Sequence, residues 1–152
     1  MIATKTRIAS RDVKKFIPGF GPAIGALADS AAPAGLDPEL ITLIYLRVSQ
    51  INGCAYCVQS HISDLQEMHV APAKINLVVA WEEAGIFSER EEAAFAWAEA
   101  LTLIAEDHVP DAAFAAVRAH FSEQEVVGLT AQICAINCWN RMAVSFRYAP
   151  EI

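Results

Sequence analysis

Charge is scarce in this chain. Only 19% of its residues are Asp, Glu, Lys or Arg, against roughly 25% in an ordinary soluble domain. Basic residues are scarcer still: eleven Lys and Arg stand against eighteen Asp and Glu, for a formal net charge of −7. An acidic chain repels phosphate backbones, which excludes general nucleic-acid binding. Cysteine is limited to four residues, too few to frame a mini-protein by disulfides. Long apolar runs are missing as well. The longest charge-free run late in the chain, 126–140, contains Thr130, Gln132, Asn137 and Asn140 and is shorter than the ~18–20 apolar residues of a membrane span. No Gly-rich nucleotide loop is found, since Gly19-Phe20-Gly21 falls in a Pro-broken segment. Low-complexity tracts and internal repeats are absent too.

What is present is apolar. Hydrophobic residues make up 55% of 152 positions, which excludes disorder and suits one domain with one core. The surplus predicts a homo-oligomer that buries further apolar surface. Five of the eleven basic residues, Lys5, Arg7, Arg11, Lys14 and Lys15, cluster at the start with Asp12 as the only acid among them. They read as a solvated basic arm over 1–14, able to steer an anionic partner, ahead of a domain over 15–152. The uncharged stretch 16–28, ending Ala26-Leu27-Ala28, has the outline of a secretory signal. However, Pro18, Gly19, Gly21, Pro22 and Gly25 break it, and Asp12 sits in the positive region. The expectation is a cytoplasmic protein with no membrane association.

The punctuation predicts an all-α domain. A helix is expected over 20–31, then a break at Pro33-Ala34-Gly35. Asp37 and Pro38 supply an N-cap and a first-turn proline for a helix to about Gln50. Asn52-Gly53 interrupts the pattern, with Asn52 expected to cap a helix over 53–69. Pro72 opens another, ending near Gly85. Ser88 with Glu91 and Ser122 with Glu125 are capping boxes for helices over 88–107 and 122–146, with a short helix over 110–120 between them. Glu92, Glu99 and Glu106 recur every seven residues and mark a wet stripe. The middle of the last helix is apolar nearly all round, so it belongs at the centre or at an interface. Trp139-Asn140-Arg141 reads as a buried aromatic with polar caps, and Arg47 as structural. His69, His108 and His120 show no partner spacing.

Chemistry concentrates in Ser49-Gln50-Ile51-Asn52-Gly53-Cys54-Ala55-Tyr56-Cys57-Val58-Gln59-Ser60-His61. Cys54 and Cys57 are three apart, so on a helix they share a face and their sulfurs can bond. They follow Asn52-Gly53 at a helix start, where free N–H groups and the dipole favour a thiolate. His61 lies four after Cys57, on the same stripe, placed to take a proton from a thiol. Asp64 continues the stripe and is placed to orient His61. Two other readings of the pair stand beside a redox one: buried inert thiols, and half of a zinc site completed by Cys134 and Cys138. Those last two cysteines read more simply as core or interface packing.

The run 46–57 followed by His61 resembles the core of the AhpD-like alkylhydroperoxidases, of the carboxymuconolactone decarboxylase superfamily. Ala96-Trp97-Ala98-Glu99-Ala100-Leu101-Thr102 and Ala135-Ile136-Asn137-Cys138-Trp139-Asn140-Arg141 support the resemblance, which spans roughly 15–147. It implies an all-helical fold that assembles as trimers or hexamers. It also implies a peroxidase in which Cys57 attacks the peroxide, Cys54 resolves it and His61 serves the proton relay. A dithiol, in some relatives lipoyl-linked to a protein, would regenerate the pair, and no metal, flavin or nicotinamide is required. The residues themselves leave the order open. The helix start favours Cys54 as the lower-pKa thiol, whereas spacing gives Cys57 the better reach to His61. The family glutamate expected twelve residues before Cys54 is Thr42 here, with Glu39 one turn earlier as its candidate replacement, and Tyr56 stands where some relatives carry histidine. Two rival functions remain. One is a decarboxylase, which does not depend on a cysteine pair. The other is a redox-sensing or partner-binding oligomer whose disulfide does not turn over.

Overall fold

A computed structural model describes residues 5–150 of the chain; positions 1–4 of the basic arm lie outside that range. The described residues form ten α-helices and no strand. They are α1 (Ser10–Phe16), α2 (Phe20–Asp29), α3 (Pro38–Ile51), α4 (Ala55–Glu67), α5 (Pro72–Leu77), α6 (Trp81–Ala84), α7 (Glu89–Thr102), α8 (Ile104–Asp107), α9 (Asp111–His120) and α10 (Glu123–Phe146). The all-α expectation therefore holds. Both capping boxes form: Ser88 and Ser122 accept from the N–H groups of Glu91 and Glu125, and each glutamate reaches back to the cap N–H. Asp37 caps α3 with Pro38 at its first position.

Helices α3 and α10 form the axis of the domain. α3 packs against α4, α7 and α10, while α10 also receives α2 and the turn Ala32–Ala34. Leu43, Ile44 and Leu46 of α3 meet Phe95 of α7 and Leu129 and Ile133 of α10 in a fully enclosed core. At the far end Arg90 lies over the Phe121 ring at 3.8 Å and pairs with Glu125 at 2.6 Å, tying α7 to the start of α10.

The basic arm ends in a helix, since α1 begins at Ser10, and it stays without a buried residue. Two local expectations fail. The helix expected to 107 breaks at Leu103, which separates α7 from α8. Glu99 does not belong to a wet stripe: its Oε1 accepts from Arg47 Nε and from Trp81 Nε1, both at 2.7 Å. An internal cation and indole give that carboxylate reason to face inward.

Gly128 is where α10 and the Ala32–Ala34 turn come closest. A Cβ there would collide with the Ala34 Cβ and sit 3.6 Å from Ala31 O. Gly128→Ala therefore destabilises the fold. Overpacking costs about 1–3 kcal/mol, and the ~1 kcal/mol gained in helix propensity offsets only part of it. Thermal unfolding should show a midpoint lower by several degrees.

Candidate active site

The site is built where α3 hands over to α4. Asn52 closes α3, and Gly53 turns the chain at φ 66, a left-handed conformation that glycine adopts without steric penalty. Cys54 is extended and becomes the N-cap of α4, its sulfur accepting the Cys57 N–H at 3.2 Å. The cap expected at Asn52 is thus a cysteine. The Asn52 amide is committed elsewhere: its Nδ2 donates to Oδ1 of Asn137 at 3.0 Å and of Asn140 at 2.9 Å. Asn140, fully enclosed, donates in turn to Ser49 Oγ at 3.0 Å, and Arg141 donates to Asn137 Oδ1 at 2.8 Å. This polar knot between α3 and α10 fixes the turn that carries the cysteines.

Cys54 and Cys57 are joined as a disulfide, with Cα atoms 5.3 Å apart, inside the usual range for a bridge. They are only 2% and 5% exposed. The two residues nonetheless line different openings. Cys57 lines a cavity of about 330 Å³ with Tyr45, His61 and Trp139. Cys54 lines another of about 710 Å³ with Gly53, Val144 and Arg147. Tyr56 and Tyr148 border both and meet edge to face, with ring centroids 5.9 Å apart.

His61 Nδ1 lies 3.3 Å from Asp64 Oδ2. A carboxylate only accepts, so Nδ1 carries the hydrogen and Nε2 keeps a lone pair for a proton. Burial pushes the His61 pKa down, and this outweighs the hydrogen bond and charge of Asp64, which push it up. The imidazole is therefore neutral, and able to act as a base, at pH 7. Tyr45, which no local signal marked, packs against the His61 ring at 5.3 Å. Its hydroxyl donates to Gln132 Oε1, and Gln132 holds the Ala28 carbonyl at 2.9 Å. Burial, with the charge of Asp29, pushes the Tyr45 pKa up to about 12, so it serves as a donor and a wall and not as a base.

The structure does not bring Glu39 to the cysteines. Its carboxylate accepts from Lys74 Nζ at 2.7 Å, Lys74 is shared with Glu91 at 2.6 Å, and Glu39 lines neither cavity. Thr42 bonds back to its own helix at Pro38 O. Trp139, expected buried, is 40% exposed and walls the Cys57 cavity, edge-on to Phe20 at 5.8 Å. Cys134 and Cys138 are exposed and take no part in the core. Among the described residues no three His, Cys, Asp or Glu side chains converge into a metal-holding group, which leaves the zinc reading without ligands.

A helical domain with a Cys-x-x-Cys pair at a helix start and a histidine one turn on is the AhpD-like arrangement. The chain belongs to the carboxymuconolactone decarboxylase family, whose model matches residues 18–100. It is similar to a protein of unknown function from Agrobacterium tumefaciens, described as a candidate antioxidant-defence protein AhpD. The two are 42% identical, with 97% of this chain and 99% of that one covered and a TM-score of 0.89. YdfG, an uncharacterized protein of Bacillus subtilis, is 41% identical over 68% of this chain and 70% of its own. The debrominase Bmp8 shares the fold alone, at 19% identity and a TM-score of 0.72 over 98% and 92% of the two chains. One fold therefore carries more than one chemistry, and the site must decide.

The His61–Asp64 contact makes a checkable statement. Asp64→Asn removes the charge and adds an NH2 donor, so the side chain no longer selects the Nδ1–H tautomer. Alkylation of the reduced Cys57 should slow by on the order of tenfold or more, less than the ~10²–10⁴-fold a general base itself contributes. Asp64 raises the His61 pKa, so the acid limb of the rate profile moves to lower pH in the variant. An unchanged profile would remove Asp64 from the site.

Proposed function

We propose that this protein is a thiol peroxidase that reduces hydroperoxides through Cys54 and Cys57. The observation that carries the reading is that Cys57 shares one cavity with a neutral His61 held by Asp64, while Cys54 stands within bonding reach. His61 takes the Cys57 proton, and the thiolate attacks the outer peroxide oxygen. The O–O bond breaks, leaving Cys57–SOH and, with the proton returned, an alcohol or water. The Cys54 thiol then displaces water to form the disulfide. An external dithiol, of which a lipoyl group on a protein is one form, reduces that disulfide by exchange and is itself oxidised to a disulfide. The cavity on the Cys54 side gives this reductant an approach of its own.

Similarity to an AhpD-type protein at 42% identity supports the reading. The apolar residues Val127 and Val144 exposed on α10 suit a homo-oligomer, with a trimer or hexamer as the proposed form. The test is peptide mapping by mass spectrometry after one equivalent of an organic hydroperoxide meets the reduced protein. The expected result is loss of two hydrogens from the Cys54–Cys57 peptide, faster than oxidation of free cysteine. Thiols that stay reduced, or react no faster, would overturn the reading. Sustained consumption of peroxide with a dithiol then separates an enzyme from a sensor that oxidises once.

A further inference from the structure

The cavity beside Cys57 is not closed by α3, α4 and α10 alone. Ser10 and Lys14, both from α1, complete its lining. The rest of that lining is mostly aromatic and aliphatic, including Tyr45, Tyr56, Ile136, Trp139 and Tyr148. Lys14 is the one lysine or arginine in that lining, and no Asp or Glu lines the cavity with it. Among the described residues Lys14 also has no carboxylate within salt-bridge distance. A second cavity of about 350 Å³ adjoins the first beneath α1, bordered by the same Ser10, Lys14, Trp139 and Tyr148 and otherwise by apolar groups such as Ile17, Phe20 and Met142. The two cavities thus share a largely apolar border on which Lys14, an exposed residue, is the one lysine.

Hydrogen peroxide has no feature that uses such a border. An apolar chain ending in an anion has two: alkyl surface for the aromatic walls and a carboxylate for Lys14. We propose that the cavity selects organic hydroperoxides bearing a carboxylate, with Lys14 as the anchor for that group and α1 as the element that sets specificity. The proposal rests on the thiol-peroxidase reading for its chemistry, and the reaction is the one balanced above with R carrying the carboxylate. Lys14 does not touch the reacting atoms. It positions the substrate and draws it from solution, against the negative charge of the protein as a whole.

The test separates binding from turnover. Octanoate and octan-1-ol, neither of them a peroxide, are titrated into the reduced protein while Trp139 fluorescence is followed, with Trp139→Phe identifying its share of the signal. Octanoate should bind on the order of tenfold more tightly than the alcohol. Lys14→Gln should remove that preference, and Lys14→Arg should keep it. In turnover, kcat/KM for a long-chain carboxylic hydroperoxide relative to its methyl ester should fall by a similar factor in Lys14→Gln, through KM. Equal affinity for acid and alcohol, a preference that survives Lys14→Gln, or binding that leaves Trp139 unperturbed each overturns the proposal. Peroxide turnover without acid–ester discrimination overturns the proposal alone. Lys14-dependent binding of octanoate by a protein that reduces no hydroperoxide overturns the peroxidase reading instead.

Discussion

Cys57→Ser should abolish peroxide reduction, by on the order of 10³-fold or more, as loss of a covalent nucleophile does elsewhere. Serine keeps the size of the side chain, but its hydroxyl is a poor nucleophile toward peroxide oxygen near pH 7. Cys54→Ser should behave differently. The first oxidation proceeds, the sulfenic acid at Cys57 finds no second thiol, and the cycle stops after one equivalent. Dimedone should then label Cys57 in that variant, read by mass spectrometry. The assignment is a real contest, because the two sulfurs are favoured by different forces. Cys54 caps α4 and accepts the Cys57 N–H, which stabilises a thiolate there. Cys57 shares the cavity with His61, which supplies both proton acceptor and substrate space. Reaction needs the peroxide as well as the thiolate, so under the proposed function Cys57 is the attacking thiol. Dimedone labelling of Cys54 in Cys57→Ser would reverse the roles.

The second large effect is on stability. Asn140→Ala should destabilise the fold by about 3 kcal/mol, within the range for breaking a buried hydrogen-bond network. The Asn140 side chain is fully buried, accepts from Asn52 and donates to Ser49. Truncation leaves both partners short of a bond and opens a void between α3 and α10. At roughly 2–4 °C per kcal/mol for a chain of this size, the unfolding midpoint should drop by about 6–12 °C. The Gly53 turn should loosen with it, so the reduced variant should re-form its disulfide more slowly at temperatures where it is still folded. A midpoint within about 2 °C of the parent would show that water replaces the lost amide.

Much of the fold is legible in the sequence because helix starts are local. Ser88 with Glu91, Ser122 with Glu125, and Asp37 with Pro38 each place a helix within a residue or two. What failed was set by contacts distant in sequence. Asn52 has the right chemistry for a cap, but Asn137 and Asn140 claim its amide from 85 and 88 residues away. Glu99 keeps the spacing of a solvated stripe while Arg47 and Trp81 draw it inward. The cysteine–histidine–aspartate stripe was visible because its members lie within three turns of one helix. The walls around it come from α1, α3 and α10, and nothing near Tyr45, Trp139 or Lys14 in the sequence announces a shared cavity. Glu39 is the opposite case: it is near enough along the chain, but Lys74 engages it.

The tyrosine partition between the two openings has a consequence for steady-state behaviour. Where oxidant and reductant use one doorway, each in excess obstructs the other, and turnover passes through a maximum as either is raised. Here Tyr56 and Tyr148 stand between the Cys57 side and the Cys54 side. Crowding on one side leaves the other open. In the proposed peroxidase, turnover should therefore level off at high peroxide without declining, even when peroxide outnumbers its reductant.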